Sequence, residues 1–371
     1  MTADNSCAPG GGNQRKAVRL HLTNVIGLGA VRLLQSLLPS LVAQNDYRLE
    51  EVYLPGSGEL AKFASFEEGT VRTCYKRYLP NAVSRLLECT VFGSRFDGAT
   101  PLLVFGDLPI RCNAKQTVFV QTTLLVRGTS TGRQLGAVKY WIARWLFRRN
   151  MRYVSNFIVQ TEAMKSALAE SYPQIKDRIH VIAQPAPDWL IGAQLSRTKF
   201  HGGVESGLRL FYPAASYPHK NHRILAGINR SLRWPVAELI LTIPESLNPN
   251  PSISWVRCVG KLEPEAVLEV YRSADALLFL SLSESFGFPL VEAMWVGLPI
   301  ICPDLPYART LCGEQAIYFD PHDAASLHRA IVELHRRREV GWWPDWSANL
   351  EKFPRSWQAV ADAMLRLATT S

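Results

Sequence analysis

Twice along this chain, short uninterrupted apolar runs alternate with longer segments of helical periodicity, and this alternation constrains the fold more than any other feature. The first series of strand-like runs falls at 17–25, 100–107, 116–121, 156–161 and 178–190. The second falls at 208–214, 238–244, 256–260, 274–283, 298–304 and 316–321. A run apolar at every position, not at every second one, is buried on both faces. Alternating such runs with helices describes a parallel sheet covered on both sides. The polar, glycine-paired stretch 194–207 has no periodicity and reads as a linker between the two series. The expected organisation is a polar tail at 1–16, domains at 17–195 and 196–352, and a last helix at 353–371 that crosses back to the first domain.

A chain of 371 residues with 47% apolar side chains suits two globular domains and excludes a mostly disordered polymer. No stretch approaches the roughly 18 consecutive apolar residues that a membrane-spanning helix needs. The first sixteen residues lack an apolar core, so a secretory leader is not expected there. Seven scattered cysteines without a C-x-x-C read as reduced thiols, which points to the cytoplasm. The net charge of +9 is uneven: residues 1–200 carry 25 basic and 14 acidic side chains, and residues 201–371 carry 16 and 18. An anionic partner is therefore expected on the first half.

The segment richest in chemistry is SLSESFGFPLVEAMWVGLPIICP, residues 281–303. A buried strand ends at Ser283, a tight turn carries Glu284, Ser285, Phe286, Gly287 and Phe288, and Pro289 opens a helix. A strand–turn–helix of this kind points free amides into the crevice at the sheet's carboxyl edge, where the helix dipole favours an anion. Glu284 sits in the turn and Glu292 is expected in the helix's first turn; each carboxylate can accept two hydroxyl bonds from a diol. Read as residues alone, the pair is as consistent with a solvated turn acid and a dipole-complementing acid. From Val256 to Pro321, however, the segment resembles the E-x7-E region of family-4 retaining glycosyltransferases, the group 1 glycosyl transferases of GT-B fold. The resemblance rests on A-D-A-L, E-x-F-G-x-P, E-A-M, G-x-P-I and the closing F-D-P. It implies an α/β protein with two Rossmann-like domains facing across a cleft. It also implies that Glu292 holds a nucleotide ribose, Glu284 contacts a donor sugar, and the amides of 286–288 meet sugar and phosphate. By the same resemblance Gly260 and Lys261, with Val259 and the 243–245 loop, flank the base.

Lys220, in FYPAASYPHKNH, is expected on a loop opening a helix, where its ammonium could neutralise a diphosphate. Its place resembles the family's phosphate-binding lysine, but the arginine that many members carry five residues upstream is Ala215 here. Ser216, backbone amides or an arginine from elsewhere would then share the leaving-group charge. Gly27 and Gly29 follow the first strand; Arg32 stands where a dinucleotide fingerprint would have its third glycine, so the resemblance places this loop against the donor phosphates instead. Gln121 and Thr122 occupy the region where many members carry a histidine beside the sugar, and Asp107 ends a neighbouring strand as a loop cap or acceptor contact. His219 and His222 lack a third ligand, and no D-x-D occurs, so neither a metal nor another cofactor is expected.

RQLGAVKYWIARWLFRRNMR, residues 133–152, holds six basic and no acidic side chains. On a helix of period 3.6, Tyr140, Ile142, Ala143, Leu146 and Phe147 form one side. Trp141, Arg144, Trp145, Arg148, Arg149 and Arg152 gather on the other, a pattern suited to anionic headgroups. The resemblance together with this helix implies transfer of a sugar from a nucleotide-sugar to a lipid-linked oligosaccharide or lipopolysaccharide precursor, by an enzyme peripheral on the inner face of a membrane. The alternatives are a soluble transferase with another glycan acceptor, or a non-catalytic nucleotide-sugar-binding subunit. Nucleic acid is not an expected partner, since no recognised binding module accompanies the basic surface.

Overall fold

The computed structural model describes residues 15–25, 27–126, 136–193, 207–228 and 234–370. Most of the expected tail and the 194–206 part of the linker lie outside the described residues. The first domain contains strands β1 (Lys16–His21), β2 (Tyr47–Pro55), β3 (Val71–Tyr75), β4 (Leu102–Val104), β5 (Gln116–Phe119), β6 (Val154–Val159) and β7 (Ile179–Val181). Among its helices are α1 (Leu28–Val42), α2 (Asn81–Cys89), α3 (Gly136–Asn150) and α4 (Glu162–Ser171); the short α5 (Asp188–Ile191) follows, its Leu190 buried in the second domain's core. The second domain contains β8 (Leu208–Tyr212), β9 (Val236–Leu241), β10 (Val256–Cys258), β11 (Ala276–Leu278), β12 (Ile300–Pro303) and β13 (Ile317–Phe319). Its helices are α6 (Pro264–Ser273), α7 (Phe288–Val296), α8 (Pro306–Cys312), α9 (Ala324–Glu339) and α10 (Ser347–Leu350), and α11 (Trp357–Thr369) ends the chain.

The sheets run β3-β2-β1-β4-β5-β6-β7 and β10-β9-β8-β11-β12-β13, with every pairing parallel. Both share the doubly wound order, which reverses direction between the first strand and its other neighbour. Those switch points lie beside β1 and β4 in one domain and β8 and β11 in the other, so each sheet opens a crevice at its carboxyl edge. The expected fold class, two Rossmann-like domains of an α/β protein, is what the chain adopts.

Two local departures have physical causes. Strand β3 escapes the apolar-run criterion because it is the sheet's edge and none of its five residues is buried. The chain after β8 does not open an α-helix: it makes two 3-10 turns, Pro218–Lys220 and His222–Gly227, joined at Asn221 with φ 56°. Asparagine tolerates that left-handed backbone, and here its side-chain amide donates to the Pro321 carbonyl at 3.0 Å.

The last helix does cross back. Trp357, Val360, Ala361, Met364 and Leu365 of α11 are buried in one core with Leu33, Leu34, Leu37 and Leu41 of α1. Ser356 caps it by accepting from the Ala359 amide, and the Trp357 indole donates to the Ala186 carbonyl at 3.0 Å. Trp357→Ala is expected to cost about 3–5 kcal/mol of first-domain stability by leaving a cavity and an unpaired carbonyl, read as a lower denaturant midpoint in urea.

Candidate active site

The turn between β11 and α7 lies at the second sheet's switch point, and its shape follows from three residues. Gly287, at φ 93°, occupies the left-handed region that side chains disfavour. A Cβ there would also press on Leu290 Cδ1 at 3.3 Å. Pro289 lies in the first turn of α7, where its missing N–H costs nothing. Phe286 is buried edge-on against Phe288, with centroids 4.9 Å apart, which locks the backbone between them. The amide end of α7 therefore faces the crevice with no side-chain cap over it.

Glu284 and Lys220 meet in this crevice as an ion pair. Both side chains are mostly enclosed, with 14% and 16% of their surface exposed. Lys220 is delivered by the first 3-10 turn, whose carbonyl is held by the Tyr212 hydroxyl at 2.8 Å. Ser216 is exposed on the bend just before it. His222, buried against the Tyr212 ring, has its pKa lowered to about 4 by desolvation and by Lys220, so it remains neutral.

Glu292 lies in the second turn of α7, one residue beyond the expected first turn. Too far along to serve the helix dipole, it is buried and accepts from the Tyr271 hydroxyl of α6 at 2.7 Å. Burial pushes its pKa up to about 6, against the pull of the Tyr271 hydrogen bond and of Arg32. Gly260 and the 243–245 loop sit side by side, the Gly260 amide donating to the Ile243 carbonyl at 2.9 Å. Lys261 points to Glu263 at 3.1 Å, both well exposed.

The first domain closes on this turn. Ser283 Oγ meets Thr123 Oγ1 at 2.8 Å, and Thr161 Oγ1 donates to the Ser285 carbonyl at 3.2 Å. Arg32 of α1 donates to the Leu262 carbonyl at 3.0 Å. Gly27 and Gly29 are exposed at the start of α1; a Cβ on either would meet nothing within 4 Å, so the absence of side chains keeps open space, not internal packing. None of Thr123, Thr161, Arg32 or Tyr271 was marked as a site residue by sequence, because a lone hydroxyl or arginine has no spacing signature until its partner segment is beside it.

Asp107, at φ 64°, is a loop cap, the first of its two expected roles: it accepts from the Gln121 amide at 2.6 Å and lies 3.7 Å from Arg85. Two expected residues act differently. Thr122 accepts from the Leu124 amide and shapes the turn that presents Thr123. Arg144 does not join the outward face of α3: it donates to the Leu124 and Val126 carbonyls at 2.9 and 3.0 Å, tying the helix to the same turn. Trp141 and Trp145 remain 66% and 43% exposed, with Arg148, Arg149 and Arg152 exposed beside them, while Leu146 and Phe147 fill the core. Sequence reading also missed a buried cluster at the end of β1, where His21 lies 2.6 Å from Glu88, which also takes the Thr23 hydroxyl. Among the described residues no group of three His, Cys, Asp or Glu is arranged to hold a metal ion.

The raised pKa of Glu292 has a measurable consequence. The folded chain holds this proton more tightly than the unfolded one, whose value is near 4.5. Its contribution to stability is therefore full below pH 4.5 and is lost as pH rises through about 6, roughly 2 kcal/mol at most. Glu292→Gln, which cannot ionise, should gain stability relative to the parent between pH 5 and pH 7. Thermal unfolding at both pH values checks this, and a constant difference would contradict it.

Comparison with known proteins bears on the same region. Residues 254–340 match the family model of "Glycosyl transferases group 1". The serotype-specific mannosyltransferase WbdA of Escherichia coli is 24% identical over 237 residues, covering 61% of this chain and 28% of that protein. The chain thus spans less than a third of that relative's length. The O-antigen chain mannosyltransferase RfbU of Salmonella typhimurium is 23% identical over 252 residues, covering 63% of this chain and 67% of that one. In fold, the chain resembles a sucrose-phosphate synthase from Thermosynechococcus elongatus (TM-score 0.64, 14% identity, 95% of this chain and 98% of that). It also resembles WaaG, a glycosyltransferase involved in lipopolysaccharide biosynthesis (TM-score 0.60, 15% identity, 95% and 96%). The family match and the fold thus agree with the resemblance read from residues 256–321: a segment similar to the group 1 glycosyl transferases lies in the second domain of a GT-B fold.

Proposed function

We propose that this chain is a retaining glycosyltransferase that moves a sugar from a nucleotide-sugar onto a lipid-linked glycan or lipopolysaccharide-type precursor. The observation that carries the reading is the Lys220–Glu284 pair at the uncapped amide end of α7, with Glu292 held one turn behind it. Glu292 accepts the ribose diol, and Glu284 orients the sugar's hydroxyls. As the C1–O bond breaks, positive charge grows on the sugar ring and negative charge on the departing diphosphate. Lys220 and the amides at Gly287 and Phe288 meet that negative charge, which is larger in the transition state than in the bound donor. The acceptor hydroxyl attacks C1 from the leaving-group face and gives its proton to the diphosphate oxygen, so the anomeric configuration is kept. Ammonium and amide dipoles supply the screening, so the reading calls for no resident metal or cofactor. The O-antigen mannosyltransferases among the relatives make a mannosyl donor the first to test.

The acceptor side of the reading rests on α3. Its exposed tryptophans and three exposed arginines suit an anionic bilayer surface, with the enzyme peripheral on the cytoplasmic face. Among the described residues no helix is long and apolar enough to cross a membrane.

Lys220→Ala is expected to lower sugar transfer at least tenfold in a radiolabelled-donor assay while leaving the unfolding midpoint within a degree or two. Unchanged transfer would remove the site assignment. The full chain should co-sediment with vesicles containing phosphatidylglycerol but not with pure phosphatidylcholine, and salt should release it. Trp141→Ala with Arg148→Ala should abolish the association; equal binding to both vesicle types would defeat the membrane reading.

A further inference from the structure

A nucleoside diphosphate carries negative charge along its length, and among the described residues of the second domain Lys220 stands at one end of the proposed site. It is paired there with Glu284, at the sugar end. Five residues before it, Ala215 presents a methyl group, and Ser216 offers one hydroxyl. Lys261 is turned to Glu263. Toward the nucleoside end, the second-domain groups met among the described residues are the Glu292 carboxylate, its Tyr271 partner and the Leu262 carbonyl.

The missing charge comes from the other domain. Arg32 stands on α1 three residues after Gly29, so both share one face of that helix, the face turned to the second domain. Its guanidinium reaches across to the Leu262 carbonyl, in the loop between Gly260 and α6, and its charge acts on Glu292. One N–H is committed to Leu262; a guanidinium has five, arranged in a fork that matches two phosphate oxygens. Beside it, the bare backbone at Gly27 and Gly29 leaves room for a ligand to approach.

We propose that Arg32 is a donor-binding residue, gripping from the first domain the phosphate nearest the nucleoside and forming with Lys220 a two-cation clamp on the diphosphate. This rests on the glycosyltransferase reading above. A charge carried by the opposite domain also makes donor occupancy draw the domains together, because the phosphate is held by both only when they are apposed.

The test uses the full chain, titrated by calorimetry at low salt with UDP, GDP, uridine and guanosine. Arg32→Gln keeps an N–H for Leu262 and removes the charge; Arg32→Lys keeps the charge and loses the fork. Arg32→Gln is expected to weaken binding of the preferred diphosphate at least tenfold while changing that of its nucleoside less than twofold. Arg32→Lys should recover part of the loss. Equal weakening of diphosphate and nucleoside would make Arg32 a brace for the Leu262 loop and overturn the proposal, as would an unchanged diphosphate affinity. Parental protein that binds neither diphosphate would overturn the glycosyltransferase reading and the clamp together, whereas parental binding with an unaffected Arg32→Gln overturns the clamp alone.

Discussion

The arrangement depends on one reversal of the chain. Leaving β11, the backbone must pass from a buried strand into a helix within about ten residues without filling the crevice it borders. Gly287 permits the left-handed step, Phe286 anchors it in the core, and Pro289 starts α7 at once. The outcome is an amide end left uncapped and a carboxylate on either side of the bend. If that bend relaxed, Glu284 would lose its place beside Lys220, and the contacts from Thr123 and Thr161 would have no surface to meet.

Around this bend, opposite demands on two glutamates are met by different surroundings. Glu284 is mostly enclosed yet charge-compensated by an adjacent ammonium. Glu292 is buried with only a hydroxyl in direct contact and a more distant guanidinium, so desolvation dominates and its proton is held more firmly. Two acids eight residues apart in one motif are thereby given distinct surroundings, one paired with an ammonium and one buried against a hydroxyl with its pKa raised.

Much of this was legible in the chain itself. The apolar runs marked eleven of the thirteen strands among the described residues, because burial on both faces leaves a continuous signature; β2, broken by Arg48, Glu50 and Glu51, did not show it. Edge strand β3 lacked that signature and was not seen. The bend was legible because glycine, proline and paired carboxylates in tight spacing leave few alternatives. The placement of Glu292 missed by one residue, since sequence spacing does not reveal whether the helix begins at Phe288 or later. Arg144 was misplaced because periodicity assigns a face to a side chain but not a partner; two carbonyls of the neighbouring turn claimed it. Arg32, Thr123, Thr161 and Tyr271 were invisible for a related reason. Their relevance is created by the meeting of segments more than a hundred residues apart, or by a helix pairing that no local pattern encodes.

The crossing of the last helix has a mechanical corollary. The polypeptide passes between the domains once between β7 and α5 and again before Trp357, whose indole, in the first core, is fastened to Ala186 of the second. Two adjacent tethers resist twisting and splaying far better than one, so the lobes are left chiefly with a jaw-like rotation about the line joining them. Such a rotation opens the crevice, and each return brings the same groups back into register.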